Sequence, residues 1–120
     1  MEIKSEAKVL RIYISNTDKF KHAPLYEMIV FAAKRYGLAG ATVVRGFMGF
    51  GSSSVIYSRK FWEITEKFPV IVEIMDETEK VERFFETIKP YFEKLSTGCI
   101  VTMDKANVVL FKTGTRKSFF

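Results

Sequence analysis

Residues 37–54, Gly-Leu-Ala-Gly-Ala-Thr-Val-Val-Arg-Gly-Phe-Met-Gly-Phe-Gly-Ser-Ser-Ser, constrain this chain more than any other stretch. Five of its seven glycines fall here, bracketing a run of β-formers. A strand therefore enters and leaves through positions where the backbone turns or another group comes close. The trailing part, Gly46-x-x-Gly49-x-Gly51 followed by three serines, has two readings. Its glycines can turn successive N–H groups inward as an anion nest, with the serine hydroxyls as further donors. They can equally do no more than shape a bulged strand and its loop.

With 120 residues, 48% of them hydrophobic, the chain has material for one core and no room for two. A single domain over residues 1–120 is expected. No apolar run approaches the roughly 20 residues needed to cross a bilayer, and the first residues are charged where a signal peptide would be apolar. These features point to a cytoplasmic protein without membrane insertion. The one cysteine, Cys99, excludes an internal disulfide and a multi-cysteine metal site, and it reads as a small buried thiol in a strand. The net charge of +5 is dispersed. Only Lys112-Thr-Gly-Thr-Arg116-Lys117 gathers it, and a lone basic tail is ordinarily solvated.

In chain order, Ala7–Ser15 alternates as a strand, with Leu10, Ile12 and Ile14 on one face and Val9, Arg11 and Tyr13 on the other. Pro24 suits a first helical position. Leu25, Met28, Ile29, Ala32 and Tyr36 then recur at helical spacing until Gly37 ends the helix. A strand over Ala41–Phe50 follows, then a connection of about 17 residues, Ser52 to Phe68, whose length suggests a functional element. Phe61 and Trp62 would pin its far half to the body. After a strand over Pro69–Met75, Asp76-Glu-Thr-Glu79 reads as a capping box opening a helix with Val81, Phe84, Phe85, Ile88, Phe92 and Leu95 on one face, kinked or broken at Pro90. Cys99–Met103 and Asn107–Lys112 read as two short strands joined near Asp104-Lys105. This is the order of an α+β, ferredoxin-like βαββαβ sandwich with an extra C-terminal strand.

In such a sandwich both helices cover one face of the sheet. The other face would carry Val9, Tyr13, Ile71, Met75, Val109 and Phe111 beside Arg11 and Glu73, which is too apolar for a face in water. Sister subunits in a closed ring are the expected cover. A one-residue slip in register would exchange the two faces.

Four motifs in order, Gly37-Leu-Ala-Gly-Ala-Thr-Val, Gly49-Phe-Gly51, Val81-Glu-Arg closing on Ile88, and Val108-Val-Leu-Phe-Lys-Thr-Gly-Thr-Arg116, resemble the successive signatures of the PII nitrogen-regulatory signal proteins. The run Ala-Thr-Val-Val-Arg-Gly-x-x-Gly-Phe-Gly is similar to a shorter PII-like branch of no settled role. The resemblance implies a homotrimer that binds an adenine nucleotide in clefts between subunits and signals to a protein target. By motif, Gly49, Phe50, Gly51, Ser52 and Ser53 match the base of the loop after the second strand, and Thr42 and Met75 lie near the adenine. Ser96, Thr97, Gly98 and Cys99 match the phosphate-cradling turn, and Lys112 matches a basic residue after the last strand. Cys99 and Leu110 stand where PII proteins carry a lysine and an arginine. Two positive charges are therefore missing, and a nucleotide with fewer phosphates is expected among AMP, ADP and ATP. Ser53 replaces the glutamine that helps to hold 2-oxoglutarate. A β-branched residue at Gly51 is expected to obstruct the backbone turn or the approach of the phosphate.

Catalysis lacks parts. His22 is the only histidine, it has no adjacent nucleophile in sequence, and it reads as a solvated loop residue; neither a catalytic residue nor a metal site is expected. The alternative from another class is an RNA-binding module of the same fold order, because Arg45-Gly-Phe-Met-Gly-Phe50 faintly echoes an aromatic strand signature. It falls on the wrong strand with one residue too many, so nucleic acid is not the expected partner. The 52–68 connection is expected to carry the ligand state to the protein target.

Overall fold

The computed structural model describes residues 6–51, 57–58 and 67–115. Ten elements follow one another: β1 (Glu6–Ser15), β2 (Lys19–Phe20), β3 (Ala23–Pro24), α1 (Leu25–Tyr36), β4 (Gly40–Arg45), β5 (Met48–Gly49), β6 (Tyr57–Ser58), β7 (Pro69–Glu77), α2 (Thr78–Glu93) and β8 (Ile100–Asn107). Four form an antiparallel sheet in the order β4-β7-β1-β8, and two short hairpins, β2-β3 and β5-β6, stand beside it. This is the ferredoxin-like α+β sandwich expected from the order of elements.

The alternation in β1 separates the layers as expected. Leu10, Ile12 and Ile14 join Val70, Val72 and Ile74 of β7 in a core closed by Leu25, Ile29 and Ala33 of α1 and Val81, Phe84, Ile88 and Phe92 of α2. Gly37 ends α1 in the left-handed conformation (φ 86°), and the N–H groups of Gly37 and Leu38 return to the carbonyls of Lys34 and Ala33. A side chain at Gly37 would be strained there, which is why a glycine stops this helix.

Three local expectations are corrected. Residues 100–107 form one strand, not two, because β8 stays in register with β1 from Tyr13↔Ile100 to Glu6↔Asn107. Asp104 and Lys105 are charges on an edge strand, where they discourage stray pairing, and not a turn. The extra strand over 107–112 does not form: β8 ends at Asn107, and residues 108–115 pair with no strand among the described residues. Nor is there a capping box. Glu77 precedes the helix without a side-chain cap, and Asp76, fully buried, instead accepts the Ala39 N–H (2.9 Å) and the Glu77 N–H (2.6 Å). The helix then runs through Pro90 to Glu93, so no break occurs there. Pro24 sits one position before α1.

The face opposite the helices is open at its Tyr13 end, while Val9 toward the other end is buried, and register fixes its rows. Val44, Ile71, Tyr13 and Ile100 lie side by side across all four strands; the next row is Thr42, Glu73, Arg11 and Thr102; the next is Gly40, Met75, Val9 and Asp104. Arg11 holds the polar row by donating to Glu73 (2.8 Å) and Asp104 (3.2 Å). The hydrogen bond to Glu73 outweighs desolvation and pushes the Arg11 guanidinium above its ordinary value. Val44, Tyr13 and Ile100 of the apolar row are 44%, 39% and 51% exposed, a contiguous band that a single chain leaves in water. Val109 and Phe111 belong to no strand; Val109 is exposed, while Phe111 lies beside Thr42, Glu73 and Met75 of this face without being part of the sheet.

Candidate functional site

At the apolar end of the open face, three stretches meet around a cavity of about 300 Å³. The sheet contributes Tyr13, Ile71 and Ile100, the glycine-rich stretch contributes Gly46 and residues 48–51, and the turn before β8 contributes Thr97, Gly98 and Cys99. Asp18, from the loop after β1, completes it.

Local chemistry explains how these parts are held. The Gly46 N–H donates to the Pro69 carbonyl (2.7 Å) and extends the β4-β7 ladder by one bond. A Cβ at Gly46 would stand 2.6 Å from Pro69 Cγ and 3.3 Å from its carbonyl oxygen, so this glycine is required by close approach. Gly51 differs: among the described residues nothing lies within 4 Å of a Cβ there, so no contact with them demands a glycine. Met48 and Gly49 pair with Ser58 and Tyr57, so the long connection begins as a hairpin. Its other end is fixed by Asn16, whose carbonyl side-chain oxygen accepts the Phe68 N–H (2.8 Å) and whose own N–H donates to the Phe68 carbonyl (3.1 Å). Arg45 lies over the Phe68 ring at 3.8 Å.

Asp18 links two walls. Its carboxylate accepts the Ser15 N–H (2.9 Å) on one oxygen and the Thr97 hydroxyl (2.8 Å) on the other. None of the described residues lining the cavity is Lys, Arg or His. Burial first, and then the Asp18 charge, push the Cys99 thiol up. Cys99 is half-buried at the entrance to β8. At pH 8, iodoacetamide is expected to label it severalfold more slowly in the folded protein than in urea, and the folded-state rate should climb only at higher pH as thiolate forms. Equal rates in the two states would contradict this environment.

The candidate residues divide between two places. Gly49, Phe50 and Gly51 join Thr97, Gly98 and Cys99 around the cavity. Thr42 and Met75 line a second hollow of about 230 Å³, with Ala39, Gly40, Val108, Leu110 and Phe111. Ile71 and Met75 are four residues apart on β7, so the two hollows sit about 13 Å apart along the same open face. Ser96 and Lys112 are exposed and line neither hollow. Ser52 and Ser53 lie outside the described residues, as do Phe61, Trp62 and most of the 52–68 connection. His22 is exposed, as a solvated loop histidine should be. Asp18 was missed by the sequence reading. Its position just after a strand marks a turn-forming aspartate, but its bond to a residue 79 positions away has no local signal.

The same ferredoxin-like fold occurs in solved PII-like proteins. A putative PII-like signaling protein from Thermus thermophilus superposes with a TM-score of 0.62 at 19% identity, covering 90% of this chain and 94% of that one. CPII from Thiomonas intermedia, a nitrogen regulatory PII-like protein bound to ADP, AMP and bicarbonate, superposes at 0.58 with 22% identity, covering 86% and 90%. Residues 7–108 match the DUF190 family, described as Uncharacterized ACR, COG1993, and the chain belongs to that family. A UPF0166 protein of Aquifex aeolicus is 43% identical over 82 residues, 68% of this chain and 78% of that protein. Another, from Methanocaldococcus jannaschii, is 35% identical over 100 residues, 80% and 92%.

Proposed function

We propose that this protein is a PII-like regulatory protein of the cytoplasm, a homotrimer that binds an adenine nucleotide with few phosphates in the clefts between its subunits. It is read as a binding protein and not an enzyme, reporting to a protein target through the 52–68 connection. The observation that carries the reading is the division of the candidate residues. Gly49, Gly51, Thr97 and Cys99 surround one hollow, while Thr42 and Met75 line another at the far end of the same open face. One chain does not join them. Neighbouring copies packed on the apolar row of that face would bring the cavity of one against the Thr42–Met75 hollow of the next, and would cover Tyr13, Ile71 and Ile100 in the same step.

The ADP and AMP held by CPII support the ligand class. The absence of basic residues among the described cavity lining supports few phosphates, since each further charge would meet no counter-charge there. Lys112, exposed on the segment after β8, lines neither hollow, and its proposed part is to supply charge to a nucleotide held by a neighbouring copy. The RNA-binding alternative gains nothing from Phe47 and Phe50, which are exposed beyond the end of β4 and off the four-stranded sheet. Calorimetric titration with AMP, ADP and ATP tests the reading. Saturable binding of at least one, with Kd below about 1 mM, is expected; no heat from any of the three would remove the nucleotide from the proposal.

A further inference from the structure

We infer that Asp18 determines which part of a ligand the cavity accepts: it turns phosphate away from the Thr97-Gly98 turn and admits an uncharged group rich in hydrogen-bond donors, such as an amino-bearing base or sugar hydroxyls. This rests on the reading of the cavity as part of a nucleotide site. It reverses the role that the resemblance gives to the 96–99 turn.

The geometry is specific. Thr97 is the hydroxyl expected to donate to a phosphate, yet its proton is directed to Asp18 Oδ1 at 2.8 Å. Thr97 therefore faces the cavity with lone pairs. The Ser15 N–H is engaged by the other carboxylate oxygen, and the Ser15 hydroxyl lies 2.8 Å from that of Thr17. Asp18 is only 7% exposed, so solvent screens its charge poorly. It lines the same cavity as Cys99, whose thiol is pushed up by burial first and then by the Asp18 charge. No basic residue among the described lining offsets that charge. Two like charges roughly 7 Å apart in such a partly screened site repel by more than tenfold in affinity. A carboxylate with one hydrogen bond per oxygen retains acceptor capacity for a donor-bearing group. The surrounding surface, from Tyr13, Ile71, Pro69 and Ile100, suits a flat and largely apolar body such as a nucleobase.

The test is calorimetry with adenosine, AMP, ATP and inorganic pyrophosphate on the wild type and on Asp18→Asn. Asparagine keeps the shape and can still accept from the Ser15 N–H while donating to Thr97. The ratio of ATP to adenosine affinity is expected to rise at least tenfold in Asp18→Asn, and pyrophosphate binding to strengthen with it. A folded Asp18→Asn with both unchanged would overturn the inference. Should that variant not fold, Asp18→Ser carries the same test, because it removes the same charge and leaves a hydroxyl beside the Ser15 N–H and Thr97. If no adenine compound binds the wild type, the nucleotide reading fails, and the pyrophosphate titrations still decide Asp18: a gain in the variant supports the role, and no gain overturns it.

Discussion

Asp76→Ala lowers the stability of the fold by about 3 kcal/mol, the scale of stranding two buried N–H groups. The side chain is fully buried, and its two oxygens hold Ala39 and Glu77 by their backbone N–H groups. It thereby ties the turn between α1 and β4 to the junction of β7 and α2, two places far apart in sequence. Lys80 adds a brace, donating to the Gly37 carbonyl at 2.8 Å and standing 3.9 Å from the Asp76 carboxylate. Alanine removes both acceptors and leaves a hole where water is poorly admitted. Asp76→Asn keeps the volume but turns an NH2 group toward one of the two donors, so it should lose about half as much. Urea denaturation measures both. A change below about 1 kcal/mol in the alanine variant would mean that the two N–H groups find other partners.

Ile71→Lys is expected to break the proposed trimer. Ile71 sits at the centre of the apolar row, between Val44 and Tyr13, and is half-buried in the single chain. Closing a ring on this face would bury it completely. A lysine there forfeits the apolar burial and desolvates a charge, a loss of about 3 kcal/mol for each copy. Three copies together suffice to turn a micromolar trimer into monomers. The monomer should keep its fold, because the lysine can still reach solvent from the open face. Sedimentation velocity beside circular dichroism separates the two effects: a folded, slowly sedimenting species is expected, and a variant that sediments like the wild type would place the interface elsewhere. Nucleotide affinity should fall in parallel if, as proposed, the site lies between copies.

The parts of this molecule that were legible in the sequence are those fixed by neighbours in the chain. Gly37 could be read because a left-handed stop is a property of one residue, and the β1 faces because alternation is a property of the strand itself. The misread parts were decided at a distance. Asp76 looked like a helix cap until Ala39 was brought against it, 37 residues away. The pair Asp104-Lys105 looked like a turn until the full length of β1 held it in a ladder. The same divide runs through the candidate site. Its two turns announced themselves by glycine and hydroxyl content, and they do meet around one cavity. Asp18, which sets the electrostatics of that cavity, depends on the sheet placing the β1 loop beside the β8 turn, and no pattern in either segment shows it. The separation of Thr42 and Met75 from the cavity is likewise a matter of register, visible only once the strands are aligned.

Native mass spectrometry of the protein with AMP reads the assembly and its ligand in one spectrum. Three chains carrying up to three nucleotides are expected, with bound AMP appearing on the trimer and not on any residual monomer. A single-chain species at micromolar concentration, or a monomer that binds AMP as well as the trimer does, would contradict a site shared between copies.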